Sequence, residues 1–542
     1  MGKVYLEHVL ANVRGVSRRS ILKGLSSLGI VPALGACGDS DAPDGVVGPT
    51  GGTPEDVDDS HGSFKHGIAS GDPYADSVVL WTRVTPVEEG PVSVGWVIAA
   101  DEALSEVVDS GVFTTDAERD YTVKVVAVGL EPRTHYWYQF RVGDTNSSLG
   151  RTKTAPDADA SLESLKFAFT SCAYYSMGYF NAYAGVASRD DLDVVLTLGD
   201  YIYEDGGDEL LATPVALGRY MEPAHEIVSL QDYRTRHALY KTDVDLNAAH
   251  AAHPWICVWD DHESANNSYA TGADDHTEGE EGMWTERKRH SIQAYFEWMP
   301  VREGFNPNTG SSAHLYRRMR YGDLLEFFVL DTRLEGRDPQ PADTTEAQAP
   351  GRYMISPQQE AWLLDGLRTT TARWKLIAQQ TMMSQLYLAP GQPFGLDSWD
   401  GYVDQRNRLF DAFADEDISN VVVLTGDIHT AFCAELTKDP TDFSAYTPGT
   451  SGSVGVEFVC PSVTTQGFPP VVAEALRLPN RHIRYAEGAL DTGHGYVVVT
   501  VTPQQCEAAW FYCLSVLTPL NKERRGLVWG VRDGETYVSL NG

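Results

Sequence analysis

The sequence predicts an α/β domain, its sheets flanked by helices, preceded by a smaller all-β domain. Three observations carry that prediction. Short alternating strands separated by turn residues run from Phe64 to about Pro156. From about Leu165 the pattern changes to near-continuous apolar strands alternating with helical stretches. Several of those strands break off at once into glycine, carboxylates and histidine. A chain of 542 residues is long enough for more than one domain, each with a full core.

Residues 1–37 read as an address. Ser17-Arg-Arg-Ser-Ile-Leu-Lys23 matches a twin-arginine export signal, and the Gly-containing apolar segment after it is too short to span a bilayer. The segment ends in Leu34-Gly-Ala-Cys37, the pattern at which bacterial lipoproteins are cleaved and lipidated on cysteine. The plainer alternative is a cleaved signal with a chance cysteine. Twin-arginine export carries folded proteins, which suits a protein that takes up a metal before it leaves the cytoplasm. Residues 38–62 are Gly, Pro and Asp with almost nothing to bury, and read as a tether.

Residues 63–156 hold the strand-like runs SVVLWTRV, VSVGWVIA, YTVKVVAV and YWYQFRV, with no competing helical period. A β-sandwich of immunoglobulin or fibronectin type III kind follows from them. Leu130-Glu-Pro-Arg-Thr-His-Tyr136-Trp-Tyr138 resembles the loop-to-strand corner of fibronectin type III domains.

Residues 157–542 form the second domain. LKFAF, DVVLTL, WICVW, LLEFFVL, KLIAQQ and NVVVL have the composition of strands covered on both faces. They alternate with helical stretches such as 285–298 and 358–367. The last forty residues are strand-like and supply no helix that could lid a site, which leaves an open site for a bulky ligand.

The formal charge is −34. An acidic surface repels nucleic-acid phosphate, which argues against DNA or RNA as a partner. The seven cysteines are scattered, with no CxxC, and most lie in apolar strands where cysteine is a small hydrophobe. Cys172, at a strand end, does not fit that description.

Four strands end in the same chemistry. LKFAF leads to Thr170-Ser-Cys172, and DVVLTL to Gly199-Asp200-Tyr-Ile-Tyr203. WICVW leads to Asp260-Asp261-His262-Glu263 with Asn266-Asn267, and NVVVL to Thr425-Gly-Asp427-Ile-His429. Each alone is modest: Gly-Asp after a strand is commonly a turn, and histidine beside acid is commonly a structural pair. Together they place four carboxylates where strand ends build sites. Carboxylates converging without a cation repel one another, and bound metal removes that cost.

This constellation resembles the calcineurin-like metallophosphoesterases, and within them the PhoD-like alkaline phosphatases. The motifs that carry the resemblance run in order from about Phe64 to about residue 500. They are Gly71-Asp-Pro, Val79-Leu-Trp-Thr-Arg83, Ser171-Cys172, Leu198-Gly-Asp-Tyr-Ile-Tyr-Glu204, Trp259-Asp-Asp-His-Glu263, Leu330-Asp-Thr-Arg333, Ser356-Pro-Gln-Gln-Glu-Ala-Trp-Leu363 and Gly426-Asp-Ile-His429. The resemblance implies one Fe(III) on Cys172, Asp200 and Tyr203. It implies one or two Ca(II) on Asp200, the Asp261/Asn267 region, Asp427 and His429. Thiolate and phenolate suit iron, and the remaining carboxylate and amide oxygens suit calcium. His262 or His429 would assist by orientation or proton transfer, with Asp200 at the reacting centre. Arg333 and Arg337 are candidates to fork phosphate oxygens, with ordinary salt bridges as the alternative. His494 stands where a basic residue would be expected beside Gly-Tyr.

The implied function is an exported, metal-dependent alkaline phosphatase or phosphodiesterase that hydrolyses phosphate esters for phosphate acquisition, anchored by lipid outside the cytoplasm. A phospholipase D-like phosphodiesterase is the nearest alternative within the fold. A non-catalytic envelope binding protein is the alternative of another class.

Overall fold

A computed structural model describes residues 62–206, 217–302, 305–306, 311–312, 314–415, 418–489 and 492–540. The export segment, Cys37 and the tether lie outside the described residues, apart from Gly62. Among the described residues, no helix is long and apolar enough to cross a membrane.

Two large sheets pack face to face. In the first, strands Leu165–Thr170, Val194–Thr197 and Pro254–Cys257 run parallel at the centre, and the antiparallel strands Gly495–Val501, Gln505–Cys513 and Glu523–Arg532 extend one side. In the second, Leu325–Val329, Trp374–Ala378, Val421–Thr425 and Gly455–Val459 are parallel neighbours. The period of two decides which way each side chain faces. Phe327, Leu376 and Val422 enter the core between the sheets, where Phe327 meets Phe167 edge-on at 5.1 Å. Their neighbours Phe328, Ile377 and Val423 face outward onto the helices Pro357–Thr369 and Val403–Asp415. Burial on both faces is why these strands are apolar throughout.

The helix starts follow local chemistry. Ser229 caps Leu230–Tyr240 in a capping box with Asp232, and Ser356 caps Pro357–Thr369 with proline in its first turn.

The N-terminal part is strand-rich. Strands Val92–Ala99, Val107–Thr115, His135–Val142 and Gly150–Lys153 form a sheet. It shares a core with Ile68, Val78, Leu80 and Val123 from Ile68–Gly71, Ser77–Arg83 and Thr122–Val128. Those last three strands do not form a sheet of their own. Ile68–Gly71 pairs in parallel with Pro254–Cys257, so a single ten-stranded sheet runs from one part of the chain into the other.

Asp72 of the Gly71-Asp-Pro motif sits at this junction. Its buried carboxylate accepts the Arg302 backbone N–H at 2.9 Å and Arg317 Nη2 at 2.6 Å, and Arg317 Nη2 also donates to the Cys257 carbonyl at 3.0 Å. The helix Trp284–Trp298 adds to the junction: Glu297 O accepts Trp81 Nε1 at 2.8 Å, and Trp298 packs on Trp81. Removing one partner of a buried ion pair strands the other charge. Asp72→Ala should therefore lower unfolding free energy in urea by about 3 kcal/mol. A loss below about 1 kcal/mol, the scale of an exposed pair, would show that the junction does not depend on it.

Candidate metal centre

The parallel strands of both sheets deliver their C-terminal ends to one edge of the sandwich. Close approach of the loops there explains the repeated Gly-Asp. A Cβ on Gly199, where φ is +99°, would lie 2.3 Å from the Asp260 backbone nitrogen, and one on Gly426 would lie 2.3 Å from Ser171 Oγ. Each glycine lets a strand-end loop pass against its neighbour.

The residue after each of these glycines is turned over. Of the eleven described non-glycine residues with positive φ, five are Cys172, Asp200, Asn267, Asp427 and His429. An L-residue held there costs roughly 1–2 kcal/mol, so the fold tolerates a concentration of strain at one edge.

Ligand atoms of Cys172, Asp200 and His429 all lie within 4.8 Å of one another, as do those of Asp200, Asp261 and His262, and those of Asp260, Asp261 and Asp427. Asp200 joins the first two groups and Asp261 the last two. Tyr203 Oη is 3.0 Å from Asp200 Oδ2 and 3.4 Å from His429 Nε2. The Tyr203 ring is held between Tyr174, stacked at 4.4 Å, and His262 at 4.2 Å. Asn267 donates its backbone N–H to Asp261 Oδ2 at 2.6 Å and its side-chain amide to Asp274 at 2.9 Å, which leaves its side-chain oxygen as the atom to offer a metal.

The two arginines are occupied. Arg333 is fully buried and donates to Asp260, to Asp397 at 2.6 Å and to Asp427 at 2.9 Å. Arg337 binds Asp397 and also donates to Tyr402 Oη at 3.2 Å. His494 Nδ1 meets Ser462 Oγ at 2.9 Å.

Electrostatics set the demand on this edge. Burial, added to by Asp261, Asp200 and Asp427, raises the Asp260 carboxyl far above the ordinary carboxylate range against the pull of Arg333. Burial likewise pushes Asp427 up to about 7, with Arg333 opposing and Asp397 and Asp261 adding. Burial raises the Cys172 thiol and the Tyr203 phenol, and Asp200 raises both further. Burial opposes charge on His262, yet Glu204 at 2.5 Å and the carboxylates of Asp200 and Asp261 outweigh it and raise the ring's pKa well above the ordinary imidazole value.

The donor set fits metal. Asp200 Oδ1, Asp260 Oδ2 and Asp261 Oδ1 are buried carboxylate oxygens without a hydrogen-bond partner. The nearest cation to Asp261 Oδ1, Arg333 Nη2, stands at 3.5 Å, an ion-pair rather than a hydrogen-bond distance. Buried carboxylate oxygens are rarely left so, and a cation would satisfy all three.

Comparison with known proteins agrees with this arrangement. The family model described as PhoD-like phosphatase matches residues 167–510, and that of the PhoD-like phosphatase N-terminal domain matches residues 51–156. The chain is 38% identical to alkaline phosphatase D of Bacillus subtilis (strain 168) over 465 residues, which cover 82% of this chain and 76% of that one. The chain belongs to the PhoD-like phosphatase family. A solved structure of PhoD superposes with a TM-score of 0.81 at 36% identity, covering 88% of this chain and 92% of that one. The chain is thus a hydrolase of phosphoric ester bonds.

Glu263 closes the Asp-Asp-His-Glu motif, but its supporting role and two further participants are not apparent from motif spacing. Glu263 accepts the backbone N–H groups of Asp200 (3.0 Å), Tyr201 (2.6 Å) and Asp260 (2.7 Å), and so ties two strand-end loops together. Asp397 and Thr465 arrive from distant loops with no local pattern to mark them. Thr465 Oγ1 lies 2.9 Å from the Cys172 carbonyl and 2.7 Å from Tyr203 Oη. Thr465→Val keeps the shape and deletes both contacts. It should cost only about 1 kcal/mol in stability yet lower kcat on the order of tenfold or more, because it frees two candidate ligands at once. Unchanged kcat in a folded Thr465→Val protein would remove Thr465 from the centre.

Proposed function

We propose that the chain is a metal-dependent alkaline phosphatase or phosphodiesterase working outside the cytoplasm to release phosphate from esters. The observation that supports this most is the set of three buried carboxylate oxygens without a hydrogen-bond partner among Cys172, Tyr203, Asp427 and His429. Cys172, Asp200 and Tyr203 would hold Fe(III), and Asp200, Asp261, Asn267, Asp427 and His429 would hold Ca(II); when bound, these ions supply positive charge to the phosphate oxygens and Lewis acidity to the attacking oxygen.

The chain's own groups do the rest. His262 engages Glu204 through Nδ1, so Nε2 is the nitrogen free to present a proton to the phosphate or the departing oxygen. His429 Nε2, close to Tyr203 and Asp200, is a ligand whose ring also helps orient the ester. Arg333 neutralises the carboxylates around it and holds Asp260 and Asp427 in register, a positioning role more than a direct clamp on phosphate. Glu263 keeps the Asp200 and Asp260 loops from drifting apart. The ester is then aligned for in-line displacement at phosphorus. Within residues 502–540, Gln505–Cys513, Glu523–Arg532 and Ser539–Leu540 build strands into the first sheet.

Tyr203→Phe separates a ligand from a core aromatic. As packing alone, the change removes one hydrogen bond, about 0.5–1.5 kcal/mol, and leaves activity near normal. As a ligand, it should bleach or shift a visible charge-transfer band and lower kcat beyond the ~100-fold typical of losing an outer-shell partner. A colourless wild-type protein with zinc in place of iron, or a fully active Tyr203→Phe, would overturn the iron assignment.

Export and anchoring belong to the same proposal and rest on Arg18, Arg19 and Cys37. Mass spectrometry of the cell-associated protein should find a mature chain beginning at a lipidated Cys37. An unmodified N-terminus, or one elsewhere, would refute the anchor.

A further inference from the structure

The centre is sealed on one side and open on the other. Cys172, Asp200 and Tyr203 are at most 1% exposed, whereas the side chains of Asp427 and Asp397 are each 22% exposed and that of His429 is 14% exposed. A phosphate ester must enter on the Asp427–His429 side, and its organic group must lie against whatever flanks those residues. On one flank, Asp274, Asp397, Asn267 and Gln340 form a polar network: Asn267 donates to Asp274 at 2.9 Å, and Gln340 donates to Asp397 at 2.8 Å. That acidic flank repels further anionic groups on a substrate.

The other flank is apolar. Ile428 stands between Asp427 and His429, and both neighbours have positive φ. It is half-buried and packs, with Phe394 and Val472, against a core that includes Met382 and Phe468. Phe394 meets Phe468 edge-on at 5.1 Å, and the Phe468 backbone N–H donates to Thr430 Oγ1 at 2.9 Å, two residues beyond Ile428. The loop that carries Phe394 is pinned to the centre three residues later, where Asp397 binds Arg333 at 2.6 Å. Open space lies over Gly395, next to Phe394. The half-exposed aromatic ring is therefore carried on a loop that is tied to the centre.

We propose that Phe394 and Ile428 form the subsite for the organic group of the substrate, and that this group is an apolar aryl or alkyl substituent. The inference rests on the phosphatase reading above. In the reaction, water adds across the ester P–O bond; the apolar alcohol leaves with a proton and the phosphate keeps the new oxygen.

The test compares 1-naphthyl phosphate with glycerol phosphate on the metal-loaded enzyme, as variant-to-wild-type ratios of kcat/KM so that intrinsic reactivity cancels. Phe394→Ala should lower the naphthyl ratio about tenfold and keep the glycerol ratio within about twofold, with Phe394→Leu recovering most of the loss. Parallel falls, or no change on either ester, would overturn the subsite. Should Phe394→Ala fail to fold, the wild type alone decides: phenylphosphonate should inhibit about tenfold more tightly than hydroxymethylphosphonate, and equal inhibition overturns the proposal. A wild type inert on both monoesters and on bis(4-nitrophenyl) phosphate overturns the phosphatase or phosphodiesterase reading itself, and the subsite with it; for one active on the diester alone, the phosphonate pair decides the subsite.

Discussion

Carboxylates crowded at one buried edge are the constraint on which the rest of this structure depends. Asp200, Asp260, Asp261 and Asp427 come from three strand ends in two sheets, and burial with mutual repulsion drives Asp260 and Asp427 toward protonation. The fold answers with Arg333, a fully buried guanidinium shared among Asp260, Asp261, Asp427 and Asp397. Arg333 and the His262 ring do not hydrogen-bond every carboxylate oxygen, and three are left without a hydrogen-bond partner. Neutral packing would be cheaper by several kcal/mol. Acids gathered at that cost suit an edge that holds metal.

Backbone strain follows from the same demand. Turning Cys172, Asp200, Asp427 and His429 inward requires positive φ at each, and the glycines before Asp200 and Asp427 let adjacent loops close over one another. Strain of this kind survives only where the surroundings over-determine the backbone. Glu263 supplies part of that, receiving three backbone N–H groups from two loops. The ten-stranded sheet supplies more, because the Ile68–Gly71 strand buttresses Pro254–Cys257 immediately before Asp260. The N-terminal strands thus belong to the mechanical support of the centre.

Much was legible in the chain itself. Near-continuous apolar strands required a sheet covered on both faces, and the structure supplies a second sheet on one side and helices on the other. Gly-Asp, Asp-Asp-His-Glu and Gly-Asp-Ile-His are local motifs, and each follows its strand by only a few residues. Strand polarity therefore determines which end of the sheet they occupy. The strand-rich N-terminal part was legible as alternating strands, but its fusion with the larger sheet was not, since parallel pairing between Ile68–Gly71 and Pro254–Cys257 leaves no local signature.

Only the tertiary structure decided the company these motifs keep. Arg333 reads in the sequence as a phosphate clamp or a salt bridge, and the packed sheets place it among acids, where solvent is absent and charge must be matched nearby. Asp397, Thr465 and Phe394 lie on loops far along the chain, where neither periodicity nor spacing distinguishes them from ordinary loop residues. Their positions follow from how the two sheets stack and from which loop each strand end meets. The sequence determined the donor atoms at each strand end because strand direction and the following turn are local properties. Stacking decided which donors share a centre, because contact between distant segments is a property of the assembled core.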